Sequence, residues 1–292
     1  MLFVQLLIPG IVLGCIYGLI GLSFSLIYRA SGLMNFAQGD VMTLGAFMGY
    51  TFFKLFKLPF AVSVLLTCVV MFIFGLFMER FIIRVLQSKG VQMGYLLLAT
   101  FALSYILQNG IQTIWGSVNM AFPSVFKVIT ISIGGYSMQP EYPMCVIVSV
   151  IFMALLHFYM TKTKFGTSMR AAAMDPIAAE SCGISVSLTT GVTYGVSSLV
   201  AGIAGILLGP IYGIYTTLGA SIGGKGFAGA VMGGYGNMYG AIVGGIALGL
   251  IETFAAGYIG SNMKNLVAYI VLILFLFIKP TGIFDEKAIQ DV

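Results

Sequence analysis

The sequence predicts an all-α integral membrane protein with about eight full transmembrane helices and one short broken or re-entrant segment. Of its 292 residues, 59% are hydrophobic and only 8% are charged, whereas soluble domains are about one quarter charged. The mean hydropathy is +1.04. Apolar stretches run almost from end to end, which predicts a single membrane domain over residues 1–292 without a soluble appendage.

Eight stretches are apolar and long enough to cross about 30 Å of hydrocarbon as helices. They are residues 2–28, 34–53, 58–79, 93–115, 143–161, 187–215, 237–258 and 262–279. The first stretch carries no Lys or Arg before Arg29, whereas a secretory signal begins with a positively charged segment. We therefore expect it to be a retained first span.

Basic residues mark two loops as cytoplasmic, because positive charge accumulates on the inner side of a membrane. These residues are Arg80, Arg84 and Lys89 in one loop and Lys162, Lys164 and Arg170 in the other. Two predicted spans separate the loops, and the segment between those spans has Lys127 as its only base. This orientation predicts the N-terminus outside and Arg29 inside, and it explains the net charge of +5 without a nucleic-acid partner.

The C-terminal tail, with Lys279 and Lys287, is expected in the cytoplasm by the same rule. Three long spans after the second basic loop would leave the tail outside, so one further crossing is needed. The candidate is "GGKGFAGAVMGG", residues 223–234, which is too short for a full helical span. We therefore predict a broken or re-entrant crossing in this segment.

Two segments of the chain resemble each other. "GLMNFAQGDVMTLGAFMG" (32–49) and "IGGKGFAGAVMGG" (222–234) each follow a long span and share a Phe-Ala step before an apolar run. The preceding spans are predicted to run in opposite directions, so the pattern indicates an inverted repeat with broken helices, as found in membrane transporters. The alternative is a chance likeness between two Gly-rich segments.

The segment "NFAQGD" places Asn35, Gln38 and Asp40 directly after the first apolar span. Non-helical backbone at membrane depth is tolerated only where protein buries it or water reaches it. These side chains are therefore predicted either to line a cavity or to lie at the cytoplasmic interface as helix caps.

Glu252 is the one carboxylate deep in a late apolar stretch, and two interpretations are open. It is either a functional intramembrane carboxylate, or it lies near the outer end of its span and reaches water or a backbone partner.

Motifs of other protein classes are incomplete in this chain. "GASIGGKG", residues 219–226, matches the start of a phosphate-binding loop but lacks its Ser or Thr and follows no predicted strand. His157 is the only histidine, and the four cysteines form no CxxC pair. We expect no catalytic residue and no metal site, and we expect glycines at four-residue spacing, such as Gly14/Gly18 and Gly229/Gly233, to pack helices.

The loop "TKTKFGTSMRAAAMDPIAAESCGISVS", residues 161–187, is the most informative polar segment. Its Ala-rich part favours helix, Asp175 and Pro176 can open a second helical turn, and Gly183 can end it. We predict a short amphipathic element that lies across the cytoplasmic membrane face within residues 162–186.

With this loop the chain resembles the permease subunits of ABC importers of the branched-chain amino acid type. The other matching segments are "NFAQGDVMTLGAF", "KGFAGAVMGGYGNMYGAIVGGIALGLIET" and the closing "KPTGIF", in the same order over almost the whole chain. The length looks more like that of the LivH type than of the LivM type. The resemblance implies inward, ATP-driven transport of leucine, isoleucine or valine across the bacterial plasma (inner) membrane.

The resemblance also implies partners and residue roles. The partners would be a second, LivM-like permease subunit, two cytoplasmic ATPases that hold ATP and Mg, and a periplasmic or lipid-anchored binding protein, with no cofactor on this chain. The loop that couples to an ATPase would comprise Gly166, Arg170, Ala171, Ala172, Asp175, Pro176, Ala179, Glu180 and Gly183, the charged residues meeting surface charges and the alanines filling a groove. Candidates for the translocation pathway are Asn35, Gln38, Asp40, Lys225, Asn237 and Glu252.

Three alternatives remain. The same architecture could carry urea, amides, another amino acid or a sugar. An ion-coupled secondary transporter or channel could use Asp40, Lys225 and Glu252 as an ion relay, without an ATPase. A membrane scaffold is disfavoured, because interrupted helices at membrane depth are costly.

Overall fold

The computed structural model describes residues 2–126, 130–133 and 136–284. Lys127 and Lys287, which entered the prediction of sidedness, lie outside these residues. Within the described residues the chain is almost entirely helical, with one short antiparallel hairpin between the fifth and sixth helices.

The elements follow one another in chain order. The α-helices are α1 (Leu2–Ser31), α2 (Gln38–Tyr50), α3 (Phe60–Met78), α4 (Arg84–Ser88), α5 (Met93–Trp115), α6 (Glu141–Lys162), α7 (Lys164–Met174), α8 (Pro176–Ser181), α9 (Val186–Tyr212), α10 (Gly224–Gly233), α11 (Met238–Tyr258) and α12 (Lys264–Ile278). Three π-helical segments adjoin them, namely π1 (Thr51–Leu55), π2 (Glu79–Ile83) and π3 (Gly219–Gly223). Strands β1 (Ile131–Ile133) and β2 (Tyr136–Met138) form the hairpin.

Six helices within the described residues are long and apolar enough to cross a membrane, which makes this a multi-pass membrane protein. They are Gln5–Ser31, Phe60–Ser88, Met93–Trp115, Glu141–Lys162, Val186–Tyr212 and Met238–Tyr258. The predicted count of eight full spans is not confirmed. The span predicted at 34–53 becomes helical only at Gln38 and has a polar first turn. The span at 262–279 contains α12, whose 15 residues rise only about 22 Å.

Helices α1 and α9 form the centre of the bundle. Their apolar windows are 72% and 83% buried, against 22% for α5 and 28% for α6. Small residues make this possible, because Gly, Ala and Ser let helix backbones approach closely. A Cβ atom on Gly14 would lie 2.7 Å from Ile246 Cα, and one on Gly229 would lie 2.8 Å from Gly245 Cα. The packing role predicted for the spaced glycines is therefore confirmed at these positions.

The two central helices pack against each other, and each has its own set of neighbours. Helix α1 also packs against α10 and α11, whereas α9 packs against α2 and α3. Between these sets, α2 meets π3 where Gly39 lies against Gly219 and Gly223. A Cβ atom on Gly223 would lie 2.6 Å from Gly39 Cα, so only glycine fits this crossing.

Candidate functional site

The "NFAQGD" segment forms a buried turn that opens α2. Asn35 Oδ1 accepts a hydrogen bond of 3.2 Å from the backbone N–H of Ala37, and α2 begins at the next residue. Asn35 and Gln38 are 1% and 0% exposed. The two side chains are enclosed by the protein, so their polar groups need protein partners.

Gln38 ties three helices together. Its Nε2 atom donates to Ser197 Oγ at 3.0 Å and to Ser197 O at 3.2 Å on α9. Ser197 Oγ in turn donates to Ser23 O on α1 at 2.7 Å. The amide thus links α2 to both central helices, and its burial is offset by hydrogen bonds.

Asp40 is buried but only half satisfied. Its side chain is 4% exposed, and Ser104 Oγ on α5 donates a hydrogen bond to Oδ2. Oδ1 is also buried and has no hydrogen-bond partner among the described residues. The first turn of α2 favours a negative charge through its unpaired N–H groups. A buried carboxylate oxygen without a hydrogen-bond partner among the described residues therefore lies near the contact between α2 and α5.

Aromatic rings lie one turn from this carboxylate. Phe36 stacks on Phe101 of α5 with 4.4 Å between ring centroids, and it approaches Phe227 of α10 at 5.8 Å. Phe101 and Ser104 are three residues apart on α5, as neighbours on one helix face are. An apolar surface and an unpaired carboxylate oxygen thus adjoin each other at the start of α2.

Lys225 and Glu252 form a closed network. Lys225 Nζ donates to Glu252 Oε1 at 2.6 Å, and Tyr17 Oη donates to Glu252 Oε2 at 2.6 Å. The Lys225 and Glu252 side chains are 8% and 2% exposed. Lys264, on α12, lies 4.0 Å from the same carboxylate and is 43% exposed. The network joins α1, α10 and α11, and Glu252 obtains a charged partner inside the protein rather than water or backbone.

Asn237 is at the other end of α10 and caps α11. Its Oδ1 atom accepts hydrogen bonds from the N–H groups of Tyr239 at 2.9 Å and Gly240 at 3.0 Å. This is the usual geometry of an N-cap asparagine. The six predicted pathway residues therefore fall into four separate hydrogen-bonding groups, with Asn35 and Gln38 in the first, Asp40 in the second, Lys225 and Glu252 in the third and Asn237 in the fourth.

The predicted amphipathic element consists of α7 and α8. Thr163 Oγ1 caps α7 by accepting from Gly166 N at 3.0 Å, and Asp175 Oδ1 caps α8 by accepting from Ala178 N at 3.0 Å. Pro176 occupies the first turn of α8, where its missing N–H costs nothing. Gly183 follows α8 with a φ of +80°, a conformation that favours glycine.

The orientation of this element corrects one part of the prediction. Ala172 and Ala179 are 6% and 4% exposed, so they pack against the chain itself and are not available to fill a groove on another subunit. Met174 and Ile177 are instead 75% and 80% exposed. Gly166 is buried against the end of α6, Arg170 and Ala171 are partly buried, and Asp175, Pro176, Glu180 and Gly183 are exposed.

A cavity of about 450 Å³ lies at the opposite end of α9 from this element. Its lining residues are Asn119, Met120, Ala121, Phe122, Gly209, Pro210, Tyr212, Gly213, Ile214 and Tyr215. Backbone hydrogen bonds of 2.9 and 3.0 Å between Met120 and Ile214 hold the two lining segments together. No group of three His, Cys, Asp or Glu side chains that could hold a metal ion occurs within the described residues.

Sequence reasoning missed several residues of these groups. Tyr17, Ser104 and Ser197 lie in apolar stretches and give no pattern of their own. The exposure of Met174 and Ile177 also depends on the rotation of two short helices, which an Ala-rich sequence does not fix. The capping role of Asn237 did have a signal, because Asn directly before an apolar helix is typical of an N-cap.

One solved structure has a similar fold. PsaBC from Streptococcus pneumoniae, in complex with Fab, aligns over 96% of this chain and 92% of its own with a TM-score of 0.51. The sequence identity is 12%, so this likeness concerns the fold alone.

Relatives with similar sequences cover nearly the full length of this chain. The high-affinity branched-chain amino acid transport system permease protein LivH of Salmonella typhimurium is 29% identical over 99% of this chain and 98% of its own length. BraD of Pseudomonas aeruginosa, with the corresponding description, is 28% identical over the same shares. A probable branched-chain amino acid transport permease protein LivH of Methanocaldococcus jannaschii is 29% identical over 91% of this chain and 87% of its own length.

A family profile described as "Branched-chain amino acid transport system / permease component" matches residues 6–276. This range includes most of α1, all of α9, the buried groups at Asp40 and Glu252, and the α7–α8 element. The chain therefore belongs to this family of permease components.

Proposed function

We propose that the chain is the membrane-spanning permease subunit of an ATP-driven importer that moves leucine, isoleucine or valine inward. The observation that carries the proposal is the α7–α8 element, which exposes Met174 and Ile177 beside the charged residues Asp175 and Glu180. An exposed apolar centre with a charged rim is the usual anatomy of a protein interface. Its partner is a cytoplasmic ATPase that supplies the ATP and Mg chemistry, so this chain needs no ATPase site.

The complete importer contains this chain, a second permease subunit, two ATPases and an external substrate-binding protein in the bacterial inner membrane. The N-terminus lies outside, and the α7–α8 element and the C-terminus lie in the cytoplasm. Lys162 at the end of α6 and Lys164 and Arg170 in α7 support this orientation. The cavity at the far end of α9 then faces the binding protein.

We extend the proposal to an inverted repeat. The packing of α1 on α10 and α11 has its counterpart in the packing of α9 on α2 and α3. The two short segments meet each other at Gly39 and Gly219, as expected near a pseudo-twofold axis. In this arrangement α2 with π1, π3 with α10, and α12 supply the crossings beyond the six long helices.

The translocation pathway passes the start of α2. A branched-chain amino acid has an ammonium group, a carboxylate and an apolar side chain. The unpaired Oδ1 atom of Asp40 suits the ammonium group, and Phe36 and Phe101 suit the apolar side chain. Lys225 and Glu252 neutralise each other, and Asn237 caps a helix, so these three residues are assigned to positioning α10 and α11.

The test of the function is uptake into vesicles that contain the reconstituted complex and its binding protein. Radiolabelled leucine, isoleucine, valine, urea and ribose are offered with and without ATP. Uptake of the leucine group that stops without ATP is expected. ATP-dependent uptake of another solute would move the specificity and keep the architecture, whereas uptake driven by an ion gradient alone would overturn the importer proposal.

The docking surface has its own test in Ile177→Asp. A charge at the centre of an apolar contact is expected to weaken co-purification of the ATPase by about tenfold or more, as loss of a central interface residue does. The matched control is Ile259→Asp. Ile259 is also exposed (64%), but it directly follows the C-terminal end of α11 and is not part of the α7–α8 element. Equal ATPase recovery with both variants would refute the assignment of α7–α8 as the docking element.

A further inference from the structure

A buried carboxylate that the proposed pathway does not use lies where α3 ends. Glu79 is 2% exposed. Arg84 Nε donates to its Oε1 atom at 2.9 Å, and Arg84 Nη2 donates to its Oε2 atom at 2.6 Å. Two-pronged pairs between arginine and a carboxylate are strong and fix the geometry of both partners.

The π2 segment makes this pair possible. Residues five apart on a regular α-helix are rotated by about 140° from each other, so their side chains would diverge. In π2 the backbone N–H of Arg84 bonds to Glu79 O, and this wider turn brings the two side chains to one side. Single π turns inside α-helices occur frequently at functional sites.

The pair holds the first turn of α9. Arg84 Nη2 also donates to the backbone carbonyl of Ser187 at 2.7 Å. Gly191 lies one turn further along α9, and a Cβ atom there would lie 3.2 Å from Glu79 Oε2 and 3.4 Å from Arg84 Nη2. The glycine therefore leaves the room that the guanidinium group needs to reach the helix.

The contact lies where the α7–α8 element joins the bundle. Ser187 comes four residues after Gly183, which follows α8, and Ser185 caps α9 by accepting from Leu188 N at 3.3 Å. Helix α9 is the most enclosed of the six long helices. A displacement of α8 would therefore reach α9 through the connecting residues 182–185, and it would reach the end of α3 through the Arg84 guanidinium group.

We propose that Glu79 and Arg84 form a clamp that couples movement of α7–α8 to α3 and α9, which makes them positioning residues for transport. This inference rests on the proposed function, because it assumes that an ATPase moves α7–α8. In this proposal the clamp transmits the movement, whereas Met174 and Ile177 bind the ATPase. The two roles are separable by experiment.

The test compares Arg84→Gln with Arg80→Gln in the reconstituted importer. Both variants lose one positive charge within the same short stretch, and Arg80 is exposed. Co-purification of the ATPases, ATP hydrolysis and uptake of leucine are measured together. Arg84→Gln is expected to retain the ATPases and to lower the leucine taken up per ATP hydrolysed by about tenfold, a typical coupling between sites. Arg80→Gln is expected to match the wild type.

Two further variants separate the clamp from a loss of folding. Arg84→Lys keeps a charge that can pair with Glu79 but loses the two-pronged geometry of the guanidinium group, so partial recovery of the ratio is expected. Gly191→Ala keeps both charges and crowds the guanidinium group, with an expected loss of about fivefold, at the lower end of such couplings. If Arg84→Gln took up as much leucine per ATP hydrolysed as the wild type, the clamp proposal would be overturned. If Arg84→Gln did not fold, an unchanged ratio in Gly191→Ala would overturn it instead. Wild-type uptake without ATP would instead overturn the proposed function on which the clamp rests.

Discussion

Two short helices, α2 and α10, each carry a buried ionisable residue in the first turn, and these two residues differ in their partners. At α2, Asp40 uses one carboxylate oxygen to accept from Ser104 and leaves the other unpaired within the described residues. At α10, Lys225 is paired with Glu252, whose second oxygen accepts from Tyr17. Burial of an ionisable residue in a membrane protein is therefore not enough to indicate a transport role. The hydrogen-bond and ion-pair partners of the residue must be known as well.

The energetic consequences of the two arrangements differ. Removing one member of a buried ion pair leaves an uncompensated charge in a medium that solvates it poorly. Neutralising a half-satisfied carboxylate removes a desolvation cost that the fold already bears. We therefore expect changes at Lys225 to act mainly on stability and changes at Asp40 to act mainly on transport.

The largest effect is expected for Lys225→Ala. It should lower the free energy of unfolding by about 3–5 kcal/mol, the usual cost of leaving a buried charge unpaired. Lys264 is 4.0 Å from the same carboxylate but 43% exposed, so it can compensate only in part. SDS-induced unfolding in mixed micelles provides the measurement.

The control for this change removes both charges. In Lys225→Met with Glu252→Gln, the amide oxygen can still accept from Tyr17 and no charge remains buried. Most of the lost stability should return, because apolar or neutral replacements of a whole buried pair are often close to neutral. A double variant as unstable as Lys225→Ala would show that the pair stabilises the fold through something other than charge compensation.

The next effect in size is expected for Asp40→Asn, and it concerns transport. Leucine uptake should fall by about tenfold or more, the equivalent of one hydrogen bond to a charged group. The free energy of unfolding should stay the same or rise, because the amide can accept from Ser104 without leaving an unpaired charge. Uptake by the reconstituted importer and unfolding in micelles are measured on the same preparation.

Ser104→Ala serves as the matched control for Asp40. It removes the hydrogen bond to Oδ2 and keeps the carboxylate, so its transport should exceed that of Asp40→Asn. If Asp40→Asn destabilised the protein as much as Lys225→Ala and transported normally, Asp40 would be a structural residue. The contrast between the two segments would then disappear.

The sequence predicted this contrast only in part. The sequence singled out the "NFAQGD" segment and Glu252 as polar groups beside apolar spans, but it left open whether they line a cavity, lie at the interface or are buried. The partners Tyr17, Ser104 and Lys225 come from three different helices. Periodicity within one helix carries no information about the helix that lies opposite, so these pairs required the packed structure.

The sequence also predicted some features of the helices and missed others. Long spans such as α9 stand out because apolar length alone reports them. The Glu79–Arg84 pair was not predicted, since five-residue spacing signals no contact on a regular α-helix and the π turn that creates it leaves no pattern in the sequence. The caps at Asp175 and Gly183 were predicted because capping depends on local chemistry alone.

The smallest effect sharpens the comparison at the far end of α10. Asn237→Ala removes the cap of α11 and should lower the free energy of unfolding by about 1 kcal/mol, with leucine uptake per folded complex unchanged. Asn237→Asp can still accept from Tyr239 N and Gly240 N, so it should retain wild-type stability. Micelle unfolding and vesicle uptake test both statements. If Asn237→Ala reduced leucine uptake while stability stayed at the wild-type level, Asn237 would have to be placed in the translocation pathway. A polar side chain could then line the pathway even though its hydrogen bonds are made within the protein.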